Sequence, residues 1–281
     1  MYFSLNYSIF AYLSQFFWVL GFWCSSTMER MRVHLVPLLV IVSMVHAAPA
    51  FAFFNILDQL KEEFSGMGGS PEEASVHFDD LIDQLSEGDV PQFNDVVMGA
   101  WYESYVRKVA QWGIVTGYKD EQGRSLGRFG PGDPVTVAQM LKMALESAKV
   151  DETQCGSSPE HPQAQGHWAT QYVACGEKKN MRILRTFPNL DRPALRGEVL
   201  VIIHDAFGDR IPPLLSTFED TAGHPYEADI AYDAVLGIIS GDTDRWGSST
   251  GTFRPNDQVN RAEAAKIIYE KLKAQVILQG R

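Results

Sequence analysis

Basic side chains are in short supply in this chain of 281 residues. It has 24 Lys and Arg against 35 Asp and Glu, and its net charge is −11. Binding to nucleic acid requires a basic face opposite the phosphates, so this balance argues against such a partner. It argues equally against a general attraction to an anionic membrane or polymer. Any anionic ligand must therefore be held by a few local cations.

Charged residues are missing altogether from residues 1–28, which are strongly apolar from Ile9 to Trp23. A second signal follows, with a basic region at 29–32, an apolar region at 33–45 and small residues for cleavage at 48–52. We predict that residues 1–52 are a signal or targeting segment, in which 1–27 is an over-extended start. The alternative is an uncleaved membrane helix, since this stretch is nearly long enough to span a bilayer. In both cases the body of the protein is exported.

Cysteine is also rare, with three in the chain. Removal of the signal takes Cys24 away and leaves Cys155 and Cys175. Two cysteines in an exported chain are most simply a disulfide, and closing a loop of about 20 residues would contribute roughly 3 kcal/mol of stability. The alternative is a zinc site, because His161 and His167 lie between the cysteines. Their spacing matches no common structural zinc site.

What the sequence does contain is an internal repeat with a period of about 62 residues. GIVTGY at 113–118 returns two periods later as GIISGD at 237–242, and Phe129-Gly-Pro131 returns as Phe253-Arg-Pro255. A degenerate middle copy, HWATQYVACGEKKNMRI, starts at His167. A repeat of this length is one supersecondary unit used several times.

Each copy predicts a helix, a turn and a second helix, so we expect an all-α fold. Gly113, Asn180 and Gly237 stand where the first helix should end in a left-handed residue. Capping sequences open the second helix at 136–139 and at 260–263. In the middle copy, Leu195 opens it without a capping side chain.

These motifs resemble the S-layer homology family. The family pattern is an F-x-D opening, an aromatic residue at the start of the first helix, a G-[IV]-[IV]-x-G turn, an F-x-P loop and a T-R-A-E start to the second helix. It appears here over residues 93–275, at Phe93, Asp95, Trp101, 113–117, 129–131 and 136–139, and again at Phe218, Asp220, 237–241, 253–255 and 260–263. The resemblance implies three helix–loop–helix repeats in a pseudo-threefold arrangement around a central helical bundle. We place a leader or spacer with short helices at 53–90, the repeats at 91–150, 151–213 (degenerate) and 214–275, and a tail at 276–281.

The resemblance also implies non-covalent attachment to a cell-wall-linked polysaccharide, pyruvylated in many members and held in grooves between repeats. The glycan-binding residues that it suggests are Arg196, Arg261, Trp101, Trp168, Asp95, Asp220, Glu198, Glu263, Gly117 and Gly241. The chain departs from the pattern in three places. Val137 stands where the first repeat's arginine belongs, Pro225 and Tyr226 replace the third repeat's tryptophan, and the middle repeat lacks the glycine turn and the F-x-P loop in regular form. At most two grooves therefore keep their arginine.

Arg196 and Arg261 fall at the first turn of a predicted helix, where a cation faces the positive end of the helix dipole at a cost of about 0.3–1 kcal/mol. An anion docked there would relieve this cost and would meet free backbone N–H groups and a planar guanidinium. A ketal-linked pyruvate carries such a carboxylate. The competing interpretation is an ion pair inside the protein, with the glutamates two residues further along or with the aspartates of the F-x-D motif.

Trp101 and Trp168 could stack on sugar rings, but we expect each to seal the seam between its own two helices, with one edge left for ligand. Gly117 and Gly241 are expected to be backbone requirements of the turn.

Features typical of enzymes find no support. Residues 247–251 match G-x-S-x-G but lie in a polar loop, outside the strand–turn–helix context of a nucleophile. Asp242-x-Asp244 resembles the start of a calcium loop, but no glutamate closes it. We predict a secreted, non-catalytic cell-surface protein that has no cofactor or metal and binds cell-wall polysaccharide, with a membrane contact only if the N-terminal segment stays uncleaved. The alternatives are a structural or protein-binding spindle without glycan affinity, and a membrane-anchored envelope tether.

Overall fold

The computed structural model describes residues 92–279 and, ahead of them, residues 74, 75, 77–80 and 82. The predicted signal at 1–52 lies outside the described residues. Between residues 92 and 279 there are six α-helices, α1 (Glu103–Gln111), α2 (Val137–Ser147), α3 (Thr170–Lys178), α4 (Arg196–Phe207), α5 (Glu227–Val235) and α6 (Arg261–Gln279). Short 3-10 turns occur at Glu152–Gln154, Arg182–Thr186 and Glu219–Thr221. In this part of the chain the extended backbone forms isolated β-bridges and no strand, which confirms the all-α fold.

The second helix of the first and third copies begins at a reciprocal cap. The Thr136 hydroxyl accepts from the Gln139 N–H, and the Gln139 side chain accepts from the Thr136 N–H, each at 3.2 Å. Asn260 and Glu263 exchange the equivalent bonds at 2.8 and 3.0 Å. Leu195 has no capping side chain, as predicted from the sequence. These bonds satisfy N–H groups that the first turn of a helix leaves unpaired.

The first helix of each copy is followed by a residue in the left-handed region. The φ angles are 75° at Gly113, 55° at Asn180 and 70° at Gly237. Asn and Gly are the residues that adopt this conformation at least cost, so the prediction for these positions is confirmed.

The three segments ahead of α2, α4 and α6 are joined in a closed ring. The Val135 N–H donates to the Val259 carbonyl at 2.9 Å, Val259 donates to Ala194 at 3.2 Å, and Ala194 donates back to Val135 at 2.9 Å. The N–H groups of the two residues after each cap also donate to a neighbouring copy, and these bonds run around the ring in the opposite cyclic order. A pseudo-threefold relation would produce such rings. The threefold arrangement of the repeats stays a prediction, which these bonds support.

The predicted disulfide is present and joins Cys155 to Cys175. It links the segment after α2 to α3, in the middle copy. The histidines between these cysteines have other partners. His161 Nε2 lies 2.9 Å from the Pro188 carbonyl, and His167 Nε2 lies 3.2 Å from Asp191. Among the described residues, no group of three or more His, Cys, Asp or Glu is placed to hold a metal ion.

The described residues of the 53–90 segment are helical, and three of them, Ala74, Phe78 and Ile82, contribute side chains to the core. Phe78 is fully buried and Ile82 is 1% exposed. Asp79 accepts a hydrogen bond from the Tyr269 hydroxyl and lies 2.6 Å from Lys273 Nζ, both on α6. These contacts favour the leader interpretation over the spacer. None of the helices in the described part of the chain combines the length and apolar character needed to cross a membrane.

Candidate functional site

Two cavities lie where elements of different copies meet. Cavity A has a volume of about 440 Å³ and cavity B about 250 Å³. The lining of cavity A is the turn at 114–119, Gln139, Lys142, Met143, Trp168 and Arg261. The lining of cavity B is the turn at 238–241, Glu263, Lys266, Ile267, Trp101 and Arg196.

The two cavities are built from equivalent parts. Each takes its turn and its second helix from one copy, a tryptophan from another copy and an arginine from the remaining one. Lys142 and Lys266 hold the same place in α2 and α6, counted from the caps Thr136 and Asn260. The sequence repeat therefore produces the same kind of concave surface twice, and each of the two is lined by an arginine and by a lysine of its second helix.

Arg261 is 6% exposed and is fixed at the floor of cavity A. Its Nε donates to the Phe129 carbonyl at 2.7 Å, and its guanidinium carbon lies 4.7 Å from the Phe129 ring and 4.9 Å from the Tyr118 ring. No carboxylate of the described residues lies within ion-pair distance of it. Burial lowers the pKa of Arg261 from its ordinary value, against the attraction of Tyr118 and two aspartates. The charge is thus desolvated and only partly compensated.

Arg196 has the equivalent place in cavity B. Its Nε donates to the Phe253 carbonyl at 2.9 Å, and its guanidinium carbon lies 4.6 Å from the Phe253 ring. One terminal nitrogen lies 3.8 Å from a Glu263 carboxylate oxygen. An ion pair inside the protein, the competing interpretation for this arginine, is therefore present at long range. Its partner is Glu263 of another copy and not Glu198, which lies two residues after Arg196.

Asp95 and Asp220 hold the F-x-P loops and line neither cavity. Asp95 accepts from the backbone N–H groups of Phe129 and Gly130 at 2.8 and 2.7 Å. Asp220 accepts from those of Phe253 and Arg254 at 2.9 and 2.7 Å. These bonds fix the loop whose phenylalanine carbonyl receives the arginine, so the aspartates position the guanidinium indirectly.

The two glutamates have different surroundings. Glu263 lines cavity B beside Arg196. Glu198 is 7% exposed, pairs with Arg192 at 2.6 and 2.8 Å, accepts the Leu195 N–H at 3.0 Å and lines neither cavity. The structure therefore brings one of the two predicted glutamates to a cavity.

Both tryptophans are more than half exposed, and the expectation that they seal the seams between helices is wrong. Trp101 and Trp168 are each 56% exposed and lie on the cavity walls. The seams are filled by smaller residues of α1 and α3, among them Val106, Val109 and Val173, all fully buried. Each tryptophan lies two residues before its helix begins, which places it outside the buried stripe.

Gly117 and Gly241 are required by close backbone approach, as predicted. A Cβ on Gly117, where φ is +67°, would lie 2.6 Å from the Arg128 carbonyl oxygen and from the Phe93 ring. A Cβ on Gly241 would lie 2.5 Å from the Phe218 ring. Each glycine presents backbone to its cavity.

Sequence reasoning missed Lys142 and Lys266. Their Nζ atoms lie 5.7 Å from the Tyr172 ring centroid and 6.0 Å from the Tyr105 ring centroid, again at equivalent positions. The signal that could have found them is their identical register in two copies of the repeat.

We call the contact between the middle and third copies the third seam. Its cation is Arg182, which forms ion pairs within the protein. Arg182 donates to Asp205 at 2.9 Å and to both oxygens of Asp229 at 3.0 and 2.7 Å. Leu184 stands where the other copies have a turn glycine, and Val137 stands where they have an arginine. This guanidinium is bound to carboxylates of the protein itself.

Comparison with known proteins matches the S-layer homology domain model to residues 92–141 and 246–265. The S-layer protein EA1 of Bacillus anthracis is 28% identical over 184 residues, which cover 63% of this chain and 19% of that protein. The S-layer protein of Bacillus licheniformis is 27% identical over 184 residues, which again cover 63% of this chain and 19% of that protein. An uncharacterized cell wall amidase of Bacillus anthracis is 28% identical over 156 residues, 52% of this chain and 27% of that protein. The aligned part thus spans about a fifth to a quarter of these relatives' length, and the predicted family resemblance is confirmed.

Proposed function

Because the chain carries S-layer homology sequence, we propose that it is a non-catalytic cell-surface protein that anchors itself to the envelope by binding an acidic, wall-linked polysaccharide in cavities A and B. The observation that supports this most is the repetition of the same parts in both cavities. A turn, a lysine, a tryptophan and an arginine recur at equivalent positions. Structural demands alone do not require two exposed tryptophans beside two half-buried lysines.

The cavities suit a carboxylate on a sugar. The bond from Arg261 to the Phe129 carbonyl uses one of the five N–H donors of the guanidinium, so others can face a ligand. Charge-assisted bonds of this kind are stronger than neutral ones, and Lys142 adds a second cation on the wall. In a protein of net charge −11, these local cations are what holds an anion. A pyruvate ketal supplies the carboxylate, and an exposed tryptophan supplies a flat face for the sugar ring.

Cavity A is proposed as the stronger anion site. The residue three places after the helix cap is neutral Gln139 in cavity A and Glu263 in cavity B. Glu263 lies 3.8 Å from Arg196 and competes with a ligand carboxylate for it. A change that removes a cation should therefore cost more in cavity A.

Co-sedimentation with purified sacculi tests the proposal. The sacculi come from the organism that encodes the chain, and are used with their polymer attached and after its removal by hydrofluoric acid. Lys142→Gln should weaken binding about tenfold, ~1.4 kcal/mol, and the double variant with Lys266→Gln should weaken it further. Lys179→Gln makes the same charge change at an exposed residue just after α3, outside both cavities, and serves as the matched control.

Equal sedimentation of the double variant, the control and the wild type would contradict glycan binding in these cavities. It would favour the structural or protein-binding spindle instead. The tether alternative is decided separately by N-terminal sequencing of the exported protein, because a start at residue 51 or 53 excludes an uncleaved anchor.

A further inference from the structure

A hairpin-like loop follows the turn of each cavity, and the two loops share one backbone. In the first loop, the Tyr118 N–H donates to Arg128 at 2.8 Å and Asp120 donates to Arg124 at 2.9 Å. In the loop beside cavity B, the equivalent N–H groups of Asp242 and Asp244 donate to Thr252 and Ser248, both at 2.8 Å.

An aspartate fixes the tip of each loop. The Asp244 carboxylate accepts from the backbone N–H groups of Trp246 and Ser248 at 2.8 and 2.9 Å. Asp120 makes the same two bonds in the first loop, at 3.0 and 2.8 Å. The tips therefore have the same conformation and differ in their side chains.

The tip beside cavity B carries a tryptophan that the other tip lacks. Trp246 is 75% exposed, and the guanidinium carbon of Arg245 lies 4.5 Å from its ring centroid. The first tip has Glu121 and Gln122 at these positions, both exposed. A cation stacked on an aromatic ring, held on a rigid turn, is an arrangement that suits an acidic sugar.

Both ends of this loop lie at cavity B. Gly241, just before it, lines the cavity, and the carbonyl of Phe253, just after it, receives Arg196. The tip lies within about 18 Å of Gly241, the reach of five extended residues. A chain of sugars bound in cavity B would have to extend by no more than this distance to reach the tip.

We propose that Arg245 and Trp246 form an outer subsite for the same acidic polysaccharide, in which Trp246 stacks on a sugar outside cavity B and Arg245 binds its carboxylate. This inference rests on the proposed function. It gives cavity B, whose arginine is partly compensated by Glu263, a second contact that cavity A does not have.

Exchange of the two tips tests the subsite. The probe is the polysaccharide released by hydrofluoric acid from sacculi of the organism that encodes the chain, and its dissociation constant is measured by calorimetric titration. Trp246→Gln gives this tip the residue of the first loop and should weaken binding about three- to tenfold. The reverse exchange, Glu121→Arg with Gln122→Trp, should tighten it by a similar factor. Thermal unfolding should be unchanged in both variants, because all the exchanged side chains are exposed.

The subsite is overturned if Trp246→Gln keeps the wild-type affinity, whatever the reverse exchange does. Loss of binding in the Lys142→Gln, Lys266→Gln double variant with wild-type binding in Trp246→Gln would sink the subsite alone. A wild-type protein that does not bind the polysaccharide would overturn the proposed function and the subsite together.

Discussion

The stability of the protein should fall steeply between pH 6.5 and pH 9, because one buried histidine must be charged. His204 on α4 is fully buried. Its Nδ1 lies 2.8 Å from Asp229 and its Nε2 lies 2.8 Å from Asp233, both on α5. Both nitrogens can donate only in the imidazolium form. Arg182 and Lys271 are the cations next to this group of carboxylates.

The size of the effect follows from the pKa. Burial alone would lower the pKa of His204, but the hydrogen bonds to Asp229 and Asp233 raise it to about 9. An unfolded histidine has a pKa of about 6.5, and the difference corresponds to about 3 kcal/mol. Since the folded pKa is the higher one, the contribution is complete below pH 6.5 and is lost as the pH rises through 9. Between these values the free energy of unfolding should fall by about 1.4 kcal/mol per pH unit.

Urea unfolding at pH 6, 7, 8 and 9 measures this slope. His204→Gln should be less stable by about 3–5 kcal/mol at pH 6, because the buried Asp233 loses the cation that is hydrogen-bonded to it and Asp229 keeps only Arg182. It should also show little change up to pH 9. His224→Gln is the matched control, because His224 is at the surface with a long contact of 3.4 Å to Asn256. A flat wild-type profile, or a slope that His224→Gln removes, would refute the reasoning.

Two further changes test the turn and the disulfide by urea unfolding. Gly117→Ala should cost about 2–4 kcal/mol, because it combines left-handed strain with a contact of 2.6 Å to backbone. Gly132→Ala, in open space, should stay within about 0.5 kcal/mol, and equal effects would contradict the close approach. Replacing Cys155 and Cys175 by serine together should cost about 3 kcal/mol. Adding reductant to the wild type should reproduce that loss, and a serine pair as stable as the oxidised protein would show that the cross-link does not stabilise the fold.

The features that the sequence predicted correctly depend on residues close together in the chain. A cap needs a side-chain acceptor and a partner three residues on, so Thr136 and Asn260 could be read directly. The left-handed ends at Gly113 and Asn180 depend on the conformational preference of one residue. The repeat then extended these local predictions over the whole described fold.

The features that were missed depend on contacts between copies. The exposure of Trp101 follows from its position ahead of α1, where the core is already filled by smaller residues. Lys142 lies off the apolar stripe of α2, so helical periodicity gave it no role. Its place in cavity A becomes apparent only when Trp168 and Arg261 arrive from other copies. Sequence spacing alone does not contain that information.

In the third seam, the cation Arg182 is bound to carboxylates of the protein itself. Where the other seams place a tyrosine against a glutamate, as in the 2.8 Å bond from Tyr172 to Glu146, this seam places Asp229 near Asp205. Two carboxylates so close would repel each other without a cation. Arg182 supplies it from the turn, and bonds of 2.7–3.0 Å to both aspartates use three of its five N–H donors. In the proposed function, the cations of cavities A and B pair with a carboxylate of the ligand, whereas Arg182 pairs with carboxylates of the protein.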